Sequence, residues 1–147
     1  MALRGAKAIE KNLDKSLNIM SNTLEESLIE VGERAVGILR ENTPVVEGRL
    51  RNSMSYTIAG KVYDPLNAEQ TGDKVNKSSK KDRVIIGTNV VYAPSVEYMA
   101  SNGSAGFMLR SYKLLIPIAK KIVGDIIKRS FKWKLSQRLE QSFTIQY

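Results

Sequence analysis

The chain has 147 residues, of which 42% are hydrophobic and 26% charged, a size and composition typical of one globular domain. It contains no cysteine and no histidine, which excludes disulfides, thiolate metal sites and every catalytic triad that uses histidine. The formal net charge is +8, and residues 101–147 alone carry nine basic and two acidic residues. Charge concentrated in one third of the chain indicates either a basic face for an anionic partner or a solvated helix surface.

The first predicted element is a helix over residues 5–42. Its apolar residues recur at steps of three and four, as on one face of a helix. This apolar stripe comprises Ile9, Leu13, Leu17, Met20, Leu24, Leu28, Val31, Ala35 and Ile38. Unbroken, the helix would be roughly 50 Å long, more than a small domain needs to cover its core. We therefore expect the stripe to serve two surfaces, one inside the subunit and one in the assembly.

A turn and a strand are predicted next. Thr43 precedes a proline and is pushed out of the helical region, which ends the helix, and Gly48 then permits a turn. Residues 49–53 are compatible with a single helical turn. Residues 53–62 alternate apolar and polar side chains, which predicts a half-buried strand with a bend or bulge at Gly60.

Residues 64–82 are predicted to form a long loop, because only two of these nineteen residues are large and apolar. We expect this loop to be mobile in the free subunit and ordered in the assembly. Strands are predicted over residues 83–88 and 90–98, with Pro94 placing the second at an edge or across a bulge. Residues 99–106 form a second predicted flexible loop.

The last predicted helix opens at Pro117, because proline suits the first turn of a helix. Apolar residues at helical spacing follow it, interspersed with Lys120, Lys121, Lys128, Arg129 and Lys132. Residues 133–141 continue or kink this helix, and residues 143–147 alternate as a short closing strand would. The order of elements predicts an α+β fold, in which the long N-terminal helix and a C-terminal helix pack on a small antiparallel sheet within one domain, residues 1–147.

The sequence lacks the usual signatures of catalysis. It has no glycine-rich phosphate loop, no nucleophile elbow and no metal-binding cluster. No apolar run approaches the ~20 residues of a membrane span. These observations argue against an enzyme and predict neither a cofactor nor a metal.

Three segments, in this order, resemble the tail-completion (head–tail joining) family of long-tailed bacteriophages. TPVVEGRLRNSM resembles the family's Pro-x-x-x-Gly-Arg-Leu-Arg-x-Ser pattern, and VIIGTNVVYAPSVEY resembles its Val-Gly-Thr, Tyr-Ala and Val-Glu-Tyr segment. LLIPIAKKIVGDIIKRSF is similar to the Leu-x-Pro-Ala opening of its last helix. The resemblance covers about residues 1–132 and leaves 133–147 unmatched. Where the family has Gly-Thr after Glu-Tyr, this chain has Met99 and Ala100.

The resemblance implies a structural virion protein that catalyses nothing and forms a ring, expected to be a hexamer, at the head–tail joint. DNA would pass through the lumen of this ring. The implied partners are other copies of the chain, neighbouring neck and tail-tube or tail-terminator proteins, and genomic DNA in non-specific contact, with no membrane. The implied location is the neck of the virion, and the host cytoplasm during assembly.

Three sets of residues are candidates for these contacts. The predicted subunit interface comprises Leu13, Leu17, Met20, Arg49, Arg51 and Glu97, with Glu97 as a partner for the arginines. Lys120, Lys121, Lys128, Arg129 and Lys132 are predicted to face the lumen or an anionic partner, and Lys74, Lys77, Lys80 and Lys81 form a predicted flexible docking loop. The alternative function is a small basic, nucleoid-like DNA-binding protein, which would bind DNA as a monomer or dimer with a steep salt dependence.

Overall fold

The computed structural model describes residues 2–45, 48–63, 73–99 and 105–142, and describes side chains within these ranges from residue 7 to residue 130. This part of the chain contains α1 (Ala2–Asn42), α2 (Arg49–Asn52), β1 (Ser55–Ile58), β2 (Lys61–Tyr63), β3 (Ile85–Gly87), α3 (Ala93–Met99) and α4 (Phe107–Ser142). The two long helices and the small antiparallel sheet confirm the predicted α+β fold. The predicted closing strand at residues 143–147 lies outside the described residues, as do residues 64–72 and 100–104 of the predicted loops.

β1 lies at the centre of the sheet, between β2 and β3, and is antiparallel to both. The single strand predicted over residues 53–62 is therefore divided into β1 and β2 by a two-residue turn. Ala59 and Gly60 form this turn with φ of 51° and 83°. Left-handed backbone at both positions is what a type I′ hairpin requires, so Gly60 is a turn residue of a hairpin and not a bulge.

β1 is buried on both faces, in contrast to the half-buried strand that its alternation predicts. Its apolar face packs on the core. On the polar face, the hydroxyl of Ser55 accepts a hydrogen bond from the amide of Val75 (2.9 Å), and the hydroxyl of Thr57 accepts one from the amide of Ser78 (3.3 Å). The chain between β2 and β3 thus covers this face, and its backbone donors allow small hydroxyl side chains to be buried there.

The core lies between the C-terminal half of α1, β1 and the start of α4. It comprises Val36, Leu39, Leu50, Met54, Tyr56, Ile58, Val90, Ala93 and Phe107. Gly32 allows the ring of Tyr56 to lie directly on α1, since a Cβ at this position would be 2.5 Å from Tyr56 Cδ2. This close approach fixes the sheet against the C-terminal half of α1.

The strand predicted over residues 90–98 is wrong, because α3 occupies most of this segment. Pro94 lies in the first turn of α3, where its missing N–H leaves no helical hydrogen bond unmade. Val90, Ala93 and Val96 recur at a spacing of three and pack on the core. A short apolar run of this kind does not distinguish helix from strand by periodicity alone.

The last helix begins at Phe107 and not at Pro117, which lies in its interior. Proline in a helix interior removes one backbone hydrogen bond. The helix nevertheless continues through Pro117, because Phe107 before it and Ile126 after it are both almost fully buried. Tertiary packing on both sides of the proline therefore outweighs the local preference that predicted a helix start here.

Candidate assembly surfaces

The N-terminal half of α1 presents an apolar stripe that nothing in the described part of the chain covers. Its side chains are 44–63% exposed and are Ile9, Leu13, Leu17, Met20 and Leu24. We call these five residues the α1 outer stripe. The same periodicity continues into Val31 and Ala35, which are buried. Three of the predicted interface residues, Leu13, Leu17 and Met20, thus lie on a contiguous exposed apolar surface. Such a surface is unusual for a monomer.

The two borders of the α1 outer stripe differ in charge. Glu10 and Asp14 are exposed and lie one turn apart along one border. Asn12 and Ser16, also one turn apart, lie along the other border and are uncharged. The N-terminal part of the stripe therefore has one acidic edge and one neutral edge.

A second exposed apolar stripe runs along α4, and the sequence-based prediction missed it. It comprises Leu109, Tyr112, Ile116 and Ile127, which are 37–60% exposed, together with the half-buried Val123. We call these five residues the α4 outer stripe. Their steps of three, four, seven and four place them on one face of the helix. Lys113 and Lys120 are exposed and lie seven residues, or about two turns, apart along the border of this stripe.

An open groove of about 680 Å³ lies between α1 and α4. Both walls carry charges of both signs: Glu30, Glu33, Arg34 and Glu41 on α1, and Lys121, Asp125 and Arg129 on α4. Two residues predicted to face a lumen thus line a groove that also contains carboxylates of their own chain.

The predicted lumen-facing residues do not share one face of α4. Lys120 borders the α4 outer stripe, whereas Lys121 and Arg129 line the groove. Lys128 is exposed, and the side chain of Lys132 lies outside the described residues. At 100° per residue the positions of Lys121, Lys128 and Lys132 fall within about 40° of one another, whereas Lys120 and Arg129 lie to either side of them.

Within the subunit, Arg49 and Glu97 do not contact each other but bind other partners. Arg49 donates two hydrogen bonds, from Nε (2.7 Å) and Nη2 (2.9 Å), to the carboxylate of Asp73. These hydrogen bonds, and secondarily the positive charge of Arg49, hold the pKa of Asp73 below its ordinary value. Arg51 is exposed, and its backbone carbonyl accepts a hydrogen bond from Arg40 Nε at 3.3 Å.

Glu97 caps the N-terminus of α4. Its carboxylate accepts hydrogen bonds from the amides of Met108 (2.9 Å) and Leu109 (3.3 Å). The amide of Gly106, at φ 74°, donates to the backbone carbonyl of the same glutamate at 2.8 Å. Within the subunit Glu97 thus forms a cap that joins α3 to α4, and its contact with arginines at a subunit interface stays a prediction.

The predicted docking loop is attached to the sheet from residue 73 onward. The backbone carbonyl of Lys80 accepts a hydrogen bond from Ala59, and that of Ser78 accepts one from Gly60. Lys74 forms a bridge with Thr88 beside the sheet. Lys77, Lys80 and Lys81 are exposed. The mobility expected of this loop stays a prediction. Residues 64–72 of the loop lie outside the described residues.

Neither a membrane span nor a metal centre is found in the described residues. No helix there combines the length and the apolar composition that crossing a membrane requires. The acidic side chains there form no group of three that could hold a metal ion.

Residues 7–98 place the chain among the structural components of the bacteriophage tail. They match the family described as "Bacteriophage HK97-gp10, putative tail-component". The match covers more than half of the chain, and the protein belongs to this family. This confirms the resemblance seen in the sequence. Comparison with curated proteins and with solved structures found no match.

Proposed function

We propose that the protein forms a ring, expected to be a hexamer, at the joint between the head and the tail of a long-tailed bacteriophage. The ring connects the neck to the tail tube, and DNA passes through its lumen. The observation that carries this proposal is the α1 outer stripe: a tail component that exposes five large apolar side chains on one helix face needs a partner for them.

The energetics favour assembly over a solvated stripe. Burying apolar surface contributes roughly 25 cal/mol per Å², so five large side chains supply several kcal/mol towards association. A ring uses one surface of each subunit against a different surface of the next, and closes when the rotation between subunits divides a full turn. A helix that extends beyond its own core provides one such surface.

Contact with DNA is expected to be electrostatic and independent of sequence. Exposed lysines such as Lys128 interact with phosphates without reading base edges. A lumen through which DNA moves requires weak and exchangeable contacts of this kind. The net charge after residue 100 supports this part of the proposal.

The ring is tested by placing a charge on the α1 outer stripe. Leu17→Asp is expected to leave the stability of the dilute monomer nearly unchanged, because Leu17 is exposed, while mass photometry shows loss of the oligomer and electron micrographs show no density at the ends of tails. Asn18→Asp adds the same charge on the other side of the helix and serves as the matched control. Normal assembly and tail docking by Leu17→Asp would contradict the proposal.

The DNA contact is tested separately with Lys128→Glu and Lys121→Glu. Lys128→Glu is expected to leave the ring intact and to impair DNA retention or ejection in reconstituted particles. Lys121→Glu places a carboxylate in the groove that Glu30, Glu33 and Glu41 also line. This variant is therefore expected to lower the stability of the subunit as well. Failure of tail docking by Lys128→Glu rings would indicate an acidic protein partner instead of DNA, and normal docking, packaging and ejection would indicate a solvated surface.

A further inference from the structure

We propose that the α1 outer stripe of one subunit packs against the α4 outer stripe of the neighbouring subunit. This contact rests on the proposed ring, and it names the two surfaces that build it. Both stripes are exposed in the subunit, and both lie on long helices.

The two stripes of one chain cannot meet each other, because they are displaced along the helix pair. The hydroxyl of Thr23 donates to Ser130 Oγ at 3.3 Å, and the groove places Ile38 of α1 near Ile118 of α4. The two helices are therefore antiparallel, with residues 118–130 of α4 beside residues 23–38 of α1. The α1 outer stripe lies mostly N-terminal to Thr23, so the α4 outer stripe of the same chain does not reach it.

The stripes match in length and in spacing. The α1 outer stripe spans residues 9–24, about 22 Å of helix, and the α4 outer stripe spans residues 109–127, about 27 Å. Apolar side chains at steps of three and four, with one step of seven on α4, are the pattern that interlocks when two helices cross at a shallow angle.

The stripes also match in charge. The border of the α1 outer stripe carries Glu10 and Asp14, and the border of the α4 outer stripe carries Lys113 and Lys120. Packing α1 on α4 in antiparallel orientation brings these opposite charges to the same rim of the contact. Packing α1 on α1 would place the carboxylates beside the neutral or the acidic edge of the other copy, and it would leave the α4 outer stripe uncovered.

Mixing two defective variants tests whether the contact joins two different surfaces. Leu13→Asp/Leu17→Asp disrupts only the α1 outer stripe, and Tyr112→Asp/Ile116→Asp disrupts only the α4 outer stripe. Each variant alone is expected to remain monomeric, with far-UV circular dichroism like that of the wild type. An equimolar mixture is expected to form a heterodimer of twice the monomer mass and nothing larger, because one intact surface of each kind remains.

Other outcomes of the mixing experiment overturn the proposal. Self-association of Tyr112→Asp/Ile116→Asp would show that α1 pairs with α1, and self-association of Leu13→Asp/Leu17→Asp would show that α4 pairs with α4. A mixture that stays monomeric would show that the two surfaces do not bind each other.

Charge reversal provides a second test, which needs no apolar residue to be changed. Glu10→Lys/Asp14→Lys and Lys113→Glu/Lys120→Glu are each expected to weaken assembly about tenfold, since every reversed pair becomes repulsive. The variant with all four reversals is expected to assemble within about twofold of the wild type. If the losses of assembly from the two pairs of reversals add up in the variant with all four, the proposed contact is overturned. Normal rings that fail to dock on tails would leave this contact standing and contradict only the proposed position at the head–tail joint.

Discussion

The two halves of α1 carry the same spacing of apolar residues and yet have different surroundings. In the N-terminal half, residues 9–24 expose their apolar side chains, whereas in the C-terminal half Val31 and Ala35 are buried. The difference does not arise from the helix, which is continuous. In the C-terminal half, the sheet and the described side chains of α4 pack beside α1, and these contacts reach as far as Thr23. Periodicity therefore predicts a helix face, but the neighbouring elements decide what covers it.

The C-terminal half is also buried on a second side that the stripe does not include. Val36 and Leu39 belong to the core, while Ala35 and Ile38 continue the stripe on an adjacent side. Two buried sides, one towards the sheet and one towards α4, make this half a structural element of the subunit. The N-terminal half has a single apolar side, which is available for assembly.

Matched leucine substitutions should give the largest difference between the two halves. Leu39→Ala is expected to lower the free energy of unfolding by about 2–5 kcal/mol, because Leu39 is 6% exposed and its removal leaves a cavity. Leu13→Ala, at 59% exposed, is expected to change it by less than about 0.5 kcal/mol. Urea denaturation of dilute monomer measures both, and equal losses would show that the N-terminal half is also part of the subunit core.

Two glycines in the C-terminal half of α1 differ in what surrounds them. Gly32→Ala is expected to destabilise the subunit by about 1–3 kcal/mol, since the new Cβ would lie 2.5 Å from the buried ring of Tyr56. Gly37→Ala is expected to stabilise it by up to about 1 kcal/mol, because no atom lies within 4 Å of the new Cβ and alanine favours the helix. Thermal melts of both variants test this, and a stabilising Gly32→Ala would contradict the close packing of the sheet on α1.

The fold was predictable from the sequence where local pattern and tertiary packing agree. α1 was predicted closely, because its periodicity and the proline after Thr43 permit no other structure over that segment. α3 was not, because residues 90–98 combine β-branched and aromatic residues with a proline. The helical state of this segment depends on tertiary contacts, which include the packing of Ala93 and Val96 on the core and the hydrogen bond from the Met108 amide to Glu97.

The candidate site was predictable only in part. The α1 outer stripe followed from a helix longer than its core. The α4 outer stripe does not follow from the sequence, because Pro117 predicts a helix start that leaves Leu109, Tyr112 and Ile116 outside the helix. The partner of Arg49 was missed because Asp73 lies 24 positions away in the chain, and no local pattern joins the two.

The cap between α3 and α4 should contribute less than a core leucine. Glu97→Gln is expected to lower the free energy of unfolding by about 1 kcal/mol, since it removes the negative charge at the N-terminus of α4 and one of two acceptors. Hydrogen exchange at the amides of Met108 and Leu109 should become faster. Glu26→Gln, at an exposed position on α1, is the control. No difference between the two variants would show that the cap is not needed for α4.

The ion pair between Arg49 and Asp73 should give the smallest effect, one that depends on pH. The Asp73 side chain is 12% exposed and that of Arg49 is 51% exposed, so solvent weakens the pair. Because hydrogen bonding to Arg49 holds the pKa of Asp73 below its ordinary value in the folded state, the pair stabilises the fold fully above the unfolded pKa of 3.8. That stabilisation is lost as the pH falls through the folded pKa.

Arg49→Met tests this linkage. The difference in free energy of unfolding between wild type and Arg49→Met is expected to be constant from pH 7 to about pH 5 and to shrink below about pH 4, as the carboxylate of Asp73 becomes protonated in the wild type. Arg51→Met removes an exposed arginine two positions away and should give a difference that does not change over the same range. Urea denaturation at each pH measures both variants. A difference for Arg49→Met that stays constant down to pH 3 would show that the Asp73 carboxylate gains nothing from its partner, and that the loop before β3 is attached by its backbone hydrogen bonds alone.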